Sequence, residues 1–258
     1  VFGDGGTVCG GTIALVMSPF VGGVTWVALR EVDHQPVSGH FGDDRRGGDG
    51  GAMLVGMGEC TDEVLVIPSR TPDGLRVTSV CDAALMRNAR ITRIMIPKSI
   101  KSIGKYAFAW CSNLQAVTIP SSVAEIGDRA FTGCERLSRL CLRDGIRRIG
   151  ERAFSFCAGL SELQLPDSIQ QIGTSAFEGC RSLRAVRLPQ GLEALPNSVF
   201  SACVALEDIT LPPTLSEIGE LAFYCCSSMP RLRIPESVHH IGVSAFEGVP
   251  SVTKLITA

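Results

Sequence analysis

The chain has 258 residues, of which 45% are hydrophobic, and its mean hydropathy is positive, which excludes a wholly disordered protein. Its formal net charge of -2 at pH 7 gives no reason to expect a nucleic-acid partner, which requires a strongly basic surface. The eleven cysteines include no Cys-x-x-Cys pair, and none of the four histidines stands at zinc-ligand spacing from a pair of cysteines. We therefore predict neither a metal site nor a cofactor.

The first 50 residues do not share the pattern of the rest of the chain, and we expect a loosely ordered segment or linker. Residues 12–29 form an uncharged stretch just long enough for a marginal membrane span or signal core. Pro19, Gly22 and Gly23 oppose a straight helix there, which favours a disordered or loosely strand-like segment. Membrane association is expected only through this stretch or through sequence beyond either end.

A repeat with a period of 23 residues runs from about Val66 to Ala258 without an insertion, in eight units. The step from Ile67 to Ile96 is 29 residues, so the first unit is longer. Six of the eleven cysteines share one position of the repeat: Cys111, Cys134, Cys157, Cys180, Cys203 and Cys226. Seven of the eleven phenylalanines share another: Phe108, Phe131, Phe154, Phe177, Phe200, Phe223 and Phe246.

Each unit reads I-G-x-x-A-F-x-x-C-x-x-L-x-x-L-x-L-P, and it resembles the BspA-like class of leucine-rich repeat found in many bacterial and protist surface proteins. The resemblance covers about 51–258, with residues 63–80 resembling the family's longer opening unit. It implies an α/β solenoid, a right-handed superhelix with one parallel β-sheet of short strands and short helical or 3-10 turns on the opposite side. We therefore divide the chain into a non-repeat segment, 1–50, and a repeat domain, 51–258.

Two positions that recur from unit to unit, each called a column, lead to expectations about local geometry. Proline follows the strand in most units and ends its hydrogen-bonded ladder, so the unit with Arg143 in that place should have a longer strand. Glycine stands before the Ala-Phe pair in most units, where a Cβ would be obstructive. Cys81 and Pro196 interrupt this column. Either the turn does not require a left-handed residue, or it is distorted at Pro196.

The repeated cysteines are interpreted as small core residues that pack beside Phe and Leu. Disulfides between successive units are the alternative, although parallel coils repeat one side-chain direction and seldom offer bridging geometry. Cys141 is at an outward strand position, and we expect it to be the reactive thiol.

The outward positions of the strands are the expected place for ligand contacts in such a solenoid. Arginine is frequent there, and a protein partner contacting Arg139, Arg187, Arg231 and Arg233 is the sharper hypothesis, whereas a solvated, mixed-charge sheet without a ligand is the alternative. The candidate partner-binding face consists of twelve residues: Arg93, Met95, Arg139, Cys141, Glu162, Gln164, Arg187, Asp208, Thr210, Arg231, Arg233 and Lys254.

Catalysis is not expected, because the sequence has no G-x-S-x-G, H-E-x-x-H or phosphate-loop motif, and His239 and His240 are interpreted as surface residues. The resemblance implies a protein-binding module for cell-surface adhesion or host interaction, located at the cell surface or outside the cell. A cytoplasmic scaffold or regulatory domain is the alternative, and the repeat part of a larger enzyme whose catalytic domain is absent is a remote one. The last strand has no polar capping unit after it, so we expect this end either to continue or to associate with a partner.

Overall fold

Each repeat unit forms one coil that contains two short strands and a run of tight turns. The computed structural model describes residues 25–28, 52–56, 62–72, 74–229 and 231–254, and for 25–28 and 253–254 it describes the backbone alone. Within these residues every regular element is a β-strand. Equivalent strands of successive coils pair in parallel, which makes the repeats a stacked β-solenoid.

The Leu-x-Leu segment of each unit forms the odd-numbered strands from β3 onward. Their bounds are β3 (Val64–Val66), β5 (Arg93–Met95), β7 (Ala116–Ile119), β9 (Arg139–Leu142), β11 (Glu162–Gln164), β13 (Ala185–Arg187), β15 (Asp208–Thr210), β17 (Leu232–Ile234) and β19 (Val252–Lys254). Alternate residues face opposite sides of a strand, so Leu163 and Val186 are buried while their neighbours face outward. Val64 pairs with Arg93, 29 residues later in the chain.

The strand of the unit without the proline is longer than most of the others, but it is not longer than that of the preceding unit, which keeps Pro120. β9 has four residues, against three in β5, β11 and β13, and β7 also has four. The Arg143 N–H donates a hydrogen bond of 3.0 Å to the Ile119 carbonyl, which a proline in that place cannot do.

A second column of strands corrects the expectation of a single sheet. The even-numbered strands are β2 (Ala52–Gly56), β4 (Val77–Val80), β6 (Ser102–Ile103), β8 (Glu125–Ile126), β10 (Arg148–Ile149), β12 (Gln171–Ile172), β14 (Ala194–Leu195), β16 (Glu217–Ile218) and β18 (His240–Ile241). Each of these strands from β6 to β18 ends with the residue directly before the glycine column. In β6, β8, β10, β12 and β16 the polar–Ile pair buries the isoleucine and leaves the polar residue more exposed, whereas Ile241 of β18 is 41% exposed.

Strand β1 (Thr25–Ala28) pairs antiparallel with β2 at the edge of the even-numbered sheet. The remaining residues of the uncharged stretch 12–29 lie outside the described residues. In the described part of the chain, no helix has the length and apolar character needed to cross a membrane.

The hydrogen-bonded ladders are interrupted at three places. The odd-numbered strands form the groups β3 to β9, β11 to β15, and β17 with β19, whereas the even-numbered strands divide between β12 and β14. Pro196 explains part of the latter gap. The column glycines of the neighbouring coils, Gly173 and Gly219, each donate their N–H to the preceding coil at 2.8 Å, and proline has no N–H to donate.

The expected helical or 3-10 turns on the opposite side are wrong for the part of the chain that the structure describes, because this side consists of turns whose amides bond alternately within a coil and to the next coil. The N–H groups of Phe108 and Trp110 donate to carbonyls of the next coil at 2.8 and 2.7 Å, where a helix would bond within one coil. Tyr106 and Trp110 both have a φ of 56°, and left-handed residues four apart prevent a continuous helix.

The core is a column of stacked rings beside a column of thiols. The seven repeated Phe rings stack with centroids 5.0 to 5.8 Å apart, in the offset range that aromatic pairs prefer. All six repeated cysteines are buried, and each thiol donates a hydrogen bond to a backbone carbonyl of the preceding coil, as Cys134 does to Phe108 at 3.2 Å. The interpretation of these cysteines as core packing is confirmed.

The glycine column is required by contact with the preceding coil. A Cβ on Gly173 would lie 2.4 Å from the Glu151 nitrogen, which no side chain can tolerate. The column glycines have no left-handed φ, since the left-handed residues come two positions later, as at Tyr106. Pro196 is accommodated because this turn does not need a left-handed residue, and the ladder is open beside it.

Candidate protein-interaction face

The outward side chains of the odd-numbered strands form the candidate face in two parallel columns. Ten of its residues are exposed: Arg93, Met95, Arg139, Glu162, Gln164, Arg187, Asp208, Thr210, Arg231 and Arg233. Cys141 is half-buried, and the side chain of Lys254 lies outside the described residues. Whether this face binds a partner stays a prediction.

Strand pairing determines which of these residues lie side by side. Arg93 pairs with Ala116 and Ala116 with Arg139, so the two arginines are two coils apart in one column. In the next group of strands, Ala185 lies between Glu162 and Asp208 in the same way. One column is therefore basic along β5 to β9 and acidic along β11 to β15.

The alignment of Lys254 with Arg231 that the 23-residue period predicts is wrong. Strand β19 pairs with β17 so that Thr253 lies beside Arg233 and Lys254 beside Ile234. Val252 and Thr253 are β-branched, which favours a strand at this point, three residues before the position that the period gives. Lys254 therefore does not continue the arginine column.

A recess of about 700 Å³ lies on β5, β7 and β9. The repeat pattern alone does not predict it. Arg93, Met95, Thr118, Arg139 and Cys141 line it, with Ala116 between the arginines. The small side chain of Ala116 leaves the space. The last coil of the recess adjoins the gap between β9 and β11, and Leu140 there is only partly buried although it takes a core position.

Charge is unevenly distributed along the repeat units. Residues 89–157 contain twelve basic and five acidic residues, whereas residues 158–254 contain six basic and ten acidic residues. The total of -2 hides this division, and counting the charge unit by unit reveals it. The recess lies in the basic segment, 89–157.

Neither recess arginine is neutralised by an acidic residue of the described part of the chain. Among the described residues, the guanidinium groups of Arg93 and Arg139 have no ion pair and no hydrogen-bond acceptor. Arg129 and Arg152, on the turn side, instead pair with Glu151 and Glu178 at 2.9 and 3.8 Å. The recess arginines are therefore available to an anionic group.

The buried thiols are not poised for chemistry. Burial raises the pKa of the Cys111, Cys180 and Cys226 thiols to about 12, and it raises the pKa of Cys134 and Cys157 well above the usual range. A thiol is a nucleophile or metal ligand only as the thiolate, so these groups are inert at neutral pH. The described residues also contain no cluster of three His, Cys, Asp or Glu side chains that could hold a metal ion.

Both histidines of the His239-His240 pair are exposed, as expected of surface residues. His240 belongs to β18 and not to a turn, because its segment is part of the second strand column.

Known structures of the same architecture exist. A leucine-rich repeat protein of T. pallidum (TpLRR) is 31% identical, with a TM-score of 0.66 over 70% of this chain and 83% of its own. A leucine-rich repeat protein of Bacteroides ovatus is 30% identical, with a TM-score of 0.74 over 89% of this chain, and the chain spans 59% of that protein. No curated protein matches.

The repeat pattern itself also matches a known family. The family described as "BspA type Leucine rich repeat region" matches residues 78–203 and 148–258, with six copies. The matched regions include the stacked coils and the outward strand face described above. The chain therefore belongs to the BspA-type leucine-rich repeat family.

Proposed function

We propose that this chain is a protein-binding module that uses the outward face of its odd-numbered strands. The observation that carries the proposal is the contrast between the two sides of these strands. Inward positions are always aliphatic, with Leu, Ile or Val, whereas outward positions carry varied and mostly polar side chains, the majority of them exposed. Extended faces of this kind serve as binding surfaces in solenoid proteins.

The proposed role is adhesion or host interaction at the cell surface, and the unit that binds is residues 51–258. Membership of a leucine-rich repeat family supports interaction with a protein. Cell-surface adhesion is the finer part of the proposal, and protease treatment of intact cells that express the full-length gene tests it. Loss of the repeat region from intact cells supports a surface role, whereas protection until lysis favours an intracellular scaffold.

A site-specific photo-crosslinker tests the binding face. We expect a crosslinker at Arg187, on β13, to capture a partner protein that one at Thr174, exposed on another side of the coil, does not. The captured protein is then purified, and its affinity is measured for the parent chain and for Arg187→Glu/Arg233→Glu. A loss of affinity of about tenfold or more is expected. Equal capture from both positions, or unchanged affinity, contradicts the proposal.

A further inference from the structure

The recess on β5, β7 and β9 has the chemistry of a site for carboxylates. Arg93 and Arg139 are at its two ends, exposed and without acidic partners among the described residues, and the surrounding segment, 89–157, has an excess of basic residues. Arginine binds a carboxylate through two parallel N–H groups, which makes an acidic ligand the complementary one.

The apolar lining of the recess argues against a simple polyanion site. Met95, Ala116 and the partly buried Leu140 provide apolar surface, with Met95 55% exposed. On the same face, Glu162 follows in the next coil and ends the basic run. A nucleic acid needs a longer series of cationic contacts, whereas a peptide with spaced carboxylates and apolar residues between them matches both features.

The spacing of the arginines indicates the conformation of the peptide. Coils joined by strand pairing are about 4.8 Å apart, so positions two coils apart are separated by about 9.6 Å. One turn of polyproline II helix takes three residues and rises about 9.3 Å, which places side chains i and i+3 on the same side. The two outward columns are two strand residues, or about 6.6 Å, apart. A face of that width suits a single extended chain better than an α-helix, which is about 10 to 12 Å across.

We propose that this recess binds an acidic protein segment in polyproline II conformation, lying along the solenoid axis, with carboxylates three residues apart on Arg93 and Arg139. The inference rests on the proposed function, for which it names the partner chemistry. Met95, Ala116 and Leu140 contact the apolar residues between the two acids.

The test uses a fluorescein-labelled peptide with the repeating sequence Glu-Pro-Pro and the purified 258-residue chain, with binding measured by fluorescence anisotropy. We expect saturable binding that weakens as salt is raised. Arg93→Glu/Arg139→Glu should lower the affinity at least tenfold. The matched control is Lys101→Glu/Arg147→Glu, which changes two exposed cations with the same 46-residue separation beside the even-numbered strands, with Ala124 between them. The control should stay within about twofold of the parent.

A second pair of variants tests the recess without changing charge. Ala116→Met fills the space between the arginines and should weaken binding at least fivefold. Ala185→Met makes the same change at the equivalent, half-buried position between Glu162 and Asp208, and it should have no effect. Urea unfolding of both variants shows whether each one folds.

Three results overturn the inference. They are absence of peptide binding to the parent, equal weakening by the Lys101/Arg147 control, and equal binding of a Gln-Pro-Pro peptide. Binding of oligothymidylate at least as tight as the peptide, lost in both charge variants, instead identifies a general polyanion surface. In each of these cases the crosslinking experiment at Arg187 still decides the proposed function on its own, because Arg187 lies outside the recess.

Discussion

The six repeated cysteines show how one residue type is used by a stacked fold. Each thiol is small enough for the interior, donates to a carbonyl of the preceding coil, and is held neutral by burial. The sequence predicts their packing role, because the cysteines recur every 23 residues, at the same step as the other apolar core positions of the repeat. Their hydrogen bonds could not be predicted, since these depend on the offset between adjacent coils.

Alkaline pH should destabilise the protein through these thiols. The pKa is about 12 for Cys111 and Cys180 in the folded state and about 9 when they are not buried. Above pH 9 the unfolded chain therefore loses protons that the folded chain keeps. Their stabilising contribution is complete below pH 9 and falls as pH rises toward 12, by up to about 1.4 kcal/mol per pH unit for each thiol.

Urea midpoints from circular dichroism at pH 8 to 11, in reductant, measure this loss. Cys111→Ala/Cys180→Ala should start from a lower midpoint and depend less steeply on pH than the parent. The other alkaline titrations are common to both proteins, so the difference in slope isolates the two thiols. Identical slopes would refute the prediction.

At the level of elements, the odd-numbered strands could be predicted and the even-numbered ones were missed. Leu163 and Leu165 show the alternation of a strand, but Gln171–Ile172 is too short for alternation to reveal it. The conformation of the turn side was predicted wrongly, because the spacing of residues in the sequence does not indicate their φ angles. Left-handed residues such as Tyr106 and Arg129 are not glycines, so composition gave no indication of them.

The gap between β12 and β14 should close partly when proline is removed. Pro196→Gly restores an N–H at a position where the equivalent Gly173 donates to the preceding coil at 2.8 Å. We expect the new amide to bond to Ile172 and to exchange with deuterium at least tenfold more slowly than an exposed amide.

Exchange is followed by NMR, with the Gly173 amide as the internal reference. Pro189→Gly, a proline outside the glycine column, controls for general effects of the substitution and should not change exchange at 194–198. If the amide that the substitution introduces at position 196 exchanges at the rate of an unstructured peptide, Pro196 is not the cause of the gap.

For the whole molecule, family and solenoid architecture were predictable because the pattern repeats eight times. The candidate face was placed on exposed strand positions, but its recess and its division into strand groups were not predictable. They arise from Ala116 and from breaks in pairing between coils, and a repeat pattern describes each coil alone. The division of the chain at residue 50 stays a prediction.

Removal of a whole unit should be tolerated, because each coil contacts only its neighbours. Deletion of residues 158–180 keeps the Phe and Cys columns aligned, and we expect a cooperative urea transition at a moderately lower midpoint. Deletion of residues 158–168 shifts every later column by eleven residues, and the C-terminal coils should lose their structure. Far-UV circular dichroism and urea unfolding distinguish the two. Equal stability of both deletion variants would contradict the view that each coil contacts only its neighbours.

The hydrogen bonds between coils run along the solenoid axis, on the strands and on the turn side alike. Tension applied between the two ends therefore acts along these bonds. We expect it to break the bonds of one coil at a time and not to shear many coils at once. Each released coil of 23 residues would lengthen the tether by about 75 Å. A force–extension trace with evenly spaced, low-force steps is the expected signature, and a single large rupture would argue against it. The same stacking of coils that stabilises the fold would thus allow the chain to extend stepwise under tension.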